Sequence, residues 1–215
     1  MKTKTLDLVV MALMVVLSFA SLISKEFNVA GITVIIGVVW FFVSNRLNQI
    51  PLKESGLSIR TVGKHLSKPS IWFWILLPAL CAFGFISVAK WIMPEMIDHV
   101  LARTGFLSWD NVLALIPQLA IAALGEEIAW RAFFFRQSKK HLPLIVAVLL
   151  NGFLFALGHY SAGSINVVLY DLASVMLDAV IFCIIMHKTD NAWISTIAHF
   201  LGNFASALFI FVLLV

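Results

Sequence analysis

Charge is scarce in this chain of 215 residues: Asp, Glu, Lys and Arg together make up 12 % of it. A soluble domain needs about twice that share to cover its surface, so a soluble fold is excluded. Cysteine is scarcer still. Cys81 and Cys183 are the two present, and both fall in apolar stretches. That excludes a disulfide frame and a cysteine-based metal site, and reads them as small buried hydrophobes. No His-Glu-x-x-His run is found, nor a serine nucleophile elbow. No basic stripe or exposed aromatic platform offers itself to nucleic acid. An internal repeat of the transporter kind is also missing. The net charge of +4 belongs to loops, where basic residues set topology and meet anionic headgroups.

What the chain has in quantity is apolar length. Hydrophobic residues make up 61 % of it, and a bilayer span needs roughly 20 of them in a row. The pattern predicts an all-α, polytopic membrane bundle of about seven spans, near 6–24, 28–45, 70–90, 110–136, 142–160, 164–187 and 191–214. Residues 1–215 read as one membrane domain. The first run resembles a signal peptide, but Ser24-Lys25-Glu26 offers no small-residue cleavage site, so it reads as a retained span. Basic loops alternate with neutral or acidic ones. Lys2 and Lys4 open the chain, and only Lys25 and Glu26 separate spans one and two. The stretch 45–69 carries Arg46, Lys53, Arg60, Lys64 and Lys68 against Glu54, and reads as a surface-lying amphipathic segment. The stretch 90–110 is more acidic, and Arg136, Lys139 and Lys140 follow. The positive-inside rule then puts the N-terminus in the cytoplasm and the C-terminus outside. Trp72, Trp74, Trp91, Trp109 and Trp193 sit near span ends as interfacial anchors. Pro78 and Pro117 are kink positions.

The information lies in the polar residues left inside the spans: Glu126, Glu127, Arg131, His159, Asp171, Asp178, His199 and Asn203. A charge at mid-bilayer costs from roughly 3 to above 10 kcal/mol depending on method, so such residues face a protein interior or a wet cavity. On a helix Glu127 and Arg131 are four apart and pair directly. Glu126 points about 100° away and is left for another partner. Two adjacent acids beside one base favour a general base among them.

The polar stretch from Gln137 to Pro143 turns the chain back. Glu126 lies 15 residues before His141 and His159 lies 18 after it. At about 1.5 Å per residue the two reach similar depth, facing each other across antiparallel helices. His199 and Asn203 share a face of the last span by i, i+4 spacing. A carboxylate and an imidazole flanking a water can direct it at an amide carbonyl. A histidine and an amide side chain can donate to the oxyanion that develops. Three other readings stay open on residue types alone. Glu126, His159 and His199 can ligate zinc with an open site; intramembrane acids and histidines also build proton relays; and an ion-pair cluster can simply lock helices together.

Three motifs stand in order. Glu-Glu-x-x-x-Arg is Glu126-Glu127-Ile128-Ala129-Trp130-Arg131, Phe-x-x-x-His is Phe155-Ala156-Leu157-Gly158-His159, and His-x-x-x-Asn is His199-Phe200-Leu201-Gly202-Asn203. Together they resemble the CAAX-protease and bacteriocin-processing family of intramembrane glutamate endopeptidases, also called the Abi family. The resemblance covers residues 110–210, the catalytic core it implies; residues 1–109 carry no signature. It implies hydrolysis of a protein or peptide substrate without a bound metal or cofactor, in a bacterial cell membrane. Glu126 with His159 activates water, His199 and Asn203 form the oxyanion hole, and Glu127 and Arg131 support the site or orient substrate. Family members associated with bacteriocin self-immunity raise a non-catalytic alternative, a membrane protein that binds a toxic peptide. The chain departs from many relatives at Ala132, where they carry glycine. Asp171 and Asp178, seven apart on one face of span six, belong to no motif of the family. Both read as hydrogen-bonded interior acids, with Asp178 also a candidate for tuning the site.

Overall fold

A computed structural model describes residues 3–23 and 29–214, with nothing assigned to the side chains of residues 112, 213 and 214. Lys2, the Ser24 cleavage-site reading and the Lys25-Glu26 link lie outside the described residues. Every regular element described is helical. Helix α1 spans Lys4–Ala20 and α2 spans Val29–Leu47. Two single 3-10 turns and α3 (Val62–Leu66) lead to α4 (Pro69–Ile92). The short α5 (Met96–Arg103) precedes α6 (Val112–Glu126). That helix runs on without a break through a π-helical stretch, Glu127–Phe135, into α7 (Arg136–Ser138). Then come α8 (Leu144–Gly158), α9 (Ile165–Thr189) and α10 (Ala192–Leu214).

Five segments are long and apolar enough to cross a membrane: Val29–Leu47, Pro69–Ile92, Leu113–Ser138, Ile165–Thr189 and Ala192–Val212. The other two of the seven expected spans are helices too, but α1 has 17 residues and α8 has 15, short of a full crossing on their own. Large apolar side chains face outward along the bundle, among them Leu80, Leu113, Ile121 and Ile145. In water such a coat would be an aggregation surface; against acyl chains it is the solvated face. This is a multi-pass membrane protein.

The π-helical stretch is the centre of the bundle, with all nine of its residues buried. Helix α2 packs on it closely, because a Cβ added at Gly37 would stand 2.6 Å from the Ala129 Cβ. Helix α10 lies along α4, where the same test at Gly202 meets the Pro78 Cβ at 3.0 Å. Small residues let membrane helices approach in this way, and Pro78 stands within α4 as its contact point with α10. A buried acid near the chain start, Asp7, is fully answered: Thr3 Oγ1, Trp40 Nε1 and Ser44 Oγ donate to it at 3.0, 2.9 and 2.8 Å.

The basic loop after α2 forms no single amphipathic helix; it folds as short turns over one end of the bundle. Asn191 Nδ2 donates to Ser58 O at 2.8 Å, and Ala192 N–H donates to Gly56 O at 2.7 Å. Arg136 Nε pairs with Asp190 at 3.1 Å. The 48–68 loop, the start of α7 and the α9–α10 turn are thereby tied together.

Candidate active site

An i→i+5 pattern is rare outside short bulges and frequent at functional sites; here it begins at the second residue of the Glu-Glu pair. It leaves Glu127 and Arg131 facing each other, Oε1 to Nη1 at 3.0 Å, with neither side chain exposed at all. The guanidinium is boxed in. Its Cζ stands 4.4 Å from the Phe155 ring centre and 5.1 Å from that of Phe182, and Nη2 donates to Ala179 O at 3.3 Å. Asn151, fully buried on α8, donates to Trp130 O at 2.9 Å and so satisfies a carbonyl of the π stretch.

Glu126 points elsewhere, as the helix period predicts. Its Oε2 lies 3.9 Å from His159 Nε2 and 3.6 Å from His199 Nε2. These separations are too long for a direct hydrogen bond and short enough for one water to bridge. His159 closes α8, and its Nδ1–H donates to Phe155 O at 2.8 Å. That bond fixes the ring and leaves Nε2 as the atom turned to Glu126. The ring also rests on Phe155, centroids 4.5 Å apart. The motif phenylalanine therefore serves both sides: its carbonyl orients His159 and its ring covers Arg131.

His199 is held from below and beside. Its Nδ1–H donates to Glu127 Oε1 at 3.0 Å, and its ring stacks on Phe182 at 4.5 Å and 19°. The buried Glu127 carboxylate thus joins two motifs, pairing with Arg131 on its own helix and with His199 on α10. Asn203, one turn further along α10, lines the same cavity as Glu126, His159 and His199. That cavity has a volume of about 1020 Å³ and is walled mainly by apolar side chains from α2, α4, α6 and α8–α10, with α5 and the segment after it across one side.

The structure separates the two acids of α9, which sequence reading treats alike. Asp171 is paired: Arg103 reaches it with Nε at 3.0 Å and Nη2 at 3.2 Å, and His99 Nε2 lies 3.4 Å away. Asp178 also lines the cavity, but its Oδ1 is buried with no hydrogen-bond partner among the described residues. Sequence reading missed Phe182 and Asn151. No pattern announces Phe182 in an apolar helix, whereas Asn151 was visible as the lone amide in span five. Among the described residues, no three or more His, Cys, Asp or Glu side chains group so as to hold a metal ion.

No curated protein and no solved structure matches the chain. Residues 108–205, which contain all three motifs, match the family described as Rce1-like, type II CAAX prenyl endopeptidase Rce1-like, and this bears out the resemblance of that segment to the CAAX-protease family.

Proposed function

We propose that this protein is an intramembrane endopeptidase that hydrolyses a peptide bond of a protein or peptide substrate, of the prenylated CAAX type, with water activated by Glu126 and His159. The observation that carries the reading is the Glu126 carboxylate, faced by two imidazole Nε2 atoms at 3.6 and 3.9 Å on the wall of a large apolar cavity. A water between Glu126 and His159 gives its proton to the carboxylate as its oxygen adds to the scissile carbonyl. His199, whose Nδ1–H donates to Glu127, offers Nε2–H to the oxyanion in its imidazolium form, and the Asn203 amide offers a second donor; one such donor is typically worth about 3–4 kcal/mol. Collapse of the adduct breaks the C–N bond, and the proton held by Glu126 passes to the leaving amine. The apolar walls of the cavity suit a peptide that carries a long hydrocarbon group. No step in this scheme passes through a metal.

The test is turnover of a farnesylated peptide ending in Cys-Val-Ile-Met by the purified protein in nanodiscs. Glu126→Ala and His159→Ala should each abolish cleavage while keeping the wild-type melting profile, and 1,10-phenanthroline should leave the wild-type rate unchanged. Unimpaired cleavage by either variant sinks the reading, and loss of wild-type rate with the chelator sinks its metal-free form.

A further inference from the structure

Six side chains on the cavity wall can carry full charge: Arg103, Glu126, His159, Asp171, Asp178 and His199. Five of them are accounted for. Arg103 and Asp171 hold each other through two contacts of 3.0 and 3.2 Å. Glu126 faces the two histidines. Asp178 alone has no ion pair among the described residues, and its Oδ1 is buried without a donor. It is close enough to the reacting groups to interact electrostatically with His199 and Arg131, yet Glu127 already takes a hydrogen bond or ion pair from both.

A buried polar atom without a partner costs roughly 1–3 kcal/mol, and more when it is charged. Such an atom in a folded protein calls for an explanation. Among the described residues no hydrogen bond to Oδ1 and no ion pair explains where this carboxyl stands. The substrate has the complementary deficit. A peptide drawn from water into an apolar cavity brings N–H groups that lose their hydration, and each needs an acceptor. Asp178 offers one: of the charged groups on the wall it has no ion pair among the described residues, and its Oδ1 is buried without a donor.

We propose, on the basis of the proteolytic reading above, that Asp178 is a substrate-binding residue: its carboxyl accepts a hydrogen bond from an N–H donor of the bound peptide and sets which segment of the substrate lies beside Glu126. The donor is either a main-chain amide or the ammonium of a basic side chain. Asp178 takes no part in proton transfer to or from the water. It acts on affinity and register, seven residues and about 10 Å along α9 from the Arg103–Asp171 pair.

The experiment reads binding, not turnover, so that it stands apart from the catalytic scheme. A fluorescein-labelled, farnesylated peptide ending in Cys-Val-Ile-Met is titrated by anisotropy against the Glu126→Ala protein in nanodiscs. Partner peptides carry one lysine, or one norleucine, at each of the three positions after the cysteine. Adding Asp178→Ala should weaken binding about tenfold, the size of one charge-assisted hydrogen bond, with the melting profile unchanged or raised. If the donor is a main-chain amide, Asp178→Ala weakens the whole series and Asp178→Asn, which keeps a carbonyl acceptor, weakens it less. If the donor is an ammonium, both substitutions weaken only the lysine peptides. In the active protein the same change should appear in KM and leave kcat nearly unaltered. Equal affinity of Asp178→Ala, Asp178→Asn and the parent for every peptide overturns the proposal. So do a lowered melting profile in both variants and a failure of every peptide to bind the parent. If Glu126→Ala still cleaves the peptide, the catalytic reading falls, and the affinity order of the parent and the Asp178 variants, read before turnover, still decides the proposal.

Discussion

Arg131 and Glu127 are both fully buried, and in a bilayer neither can reach water by a small movement. The pair is therefore a commitment: removing one partner strands the other. Breaking a buried pair in this way typically costs about 3–5 kcal/mol, because an uncompensated charge stays behind. Arg131 also fills the space between two aromatic rings, and lysine, a point charge on a flexible stem, reproduces neither the fork nor the flat face. Glu126 differs. Its side chain is 20 % exposed to the cavity and holds no helix in place. Arg131→Ala and Arg131→Lys should thus destabilise the protein strongly, by about 3 kcal/mol or more for the alanine. Glu126→Gln should change stability by less than about 1 kcal/mol while ending turnover. Unfolding in mixed SDS micelles measures both. Comparable stability losses at Glu126 and Arg131 would mean that Glu126 and the Glu127–Arg131 pair do not divide chemical from structural work.

At the scale of elements, α10 must bring His199 and Asn203 to a site built by α6 and α8. Its seat is the close approach of Gly202 to Pro78 on α4. Gly202→Val should push α10 outward and lower kcat about 100-fold, since a displacement near 1 Å is enough for such a loss. A Cβ at Gly84 on the same α4 meets nothing within 4 Å among the described residues, so Gly84→Val should leave kcat unchanged; equal effects would show that the Pro78 contact sets nothing. Much of this arrangement is legible in the sequence. Residue counts on either side of the 137–143 turn bring Glu126 and His159 to one depth, and i, i+4 spacing puts His199 and Asn203 on one face. The π-helical stretch is not legible, because Glu127–Phe135 carries no residue pattern that distinguishes i→i+5 from i→i+4 bonding. Nor does spacing say which of two acids seven apart on α9 finds a partner. Arg103, which decides it, lies 68 residues away from Asp171 in the chain.

For the molecule as a whole, the contacts collect the basic segments at one end. The 48–68 loop is bonded to the α9–α10 turn at Asn191, and Arg136 at the end of the signature helix is paired with Asp190. The start of α1 belongs to the same end, since Asn48 donates to Thr3 Oγ1 at 2.5 Å. The Arg103–Asp171 pair marks the other end, at the start of α9. Positive-inside counting assigns the basic end to the cytoplasm. Helix α8, with 15 residues, rises about 22 Å from that end, against a hydrocarbon core of about 30 Å. On that orientation His159 at its tip, and Glu126 beside it, would lie inside the membrane in the outer half. Single cysteines in a chain with Cys81 and Cys183 replaced by alanine test this with a membrane-impermeant maleimide. All four positions chosen are exposed. Lys53→Cys and Lys140→Cys should label only after permeabilisation, and Asp110→Cys and Ala162→Cys should label in intact cells. The reverse pattern would turn the bundle over and place the Glu126–His159 site in the cytoplasmic half, where a substrate anchored to the inner leaflet meets it directly.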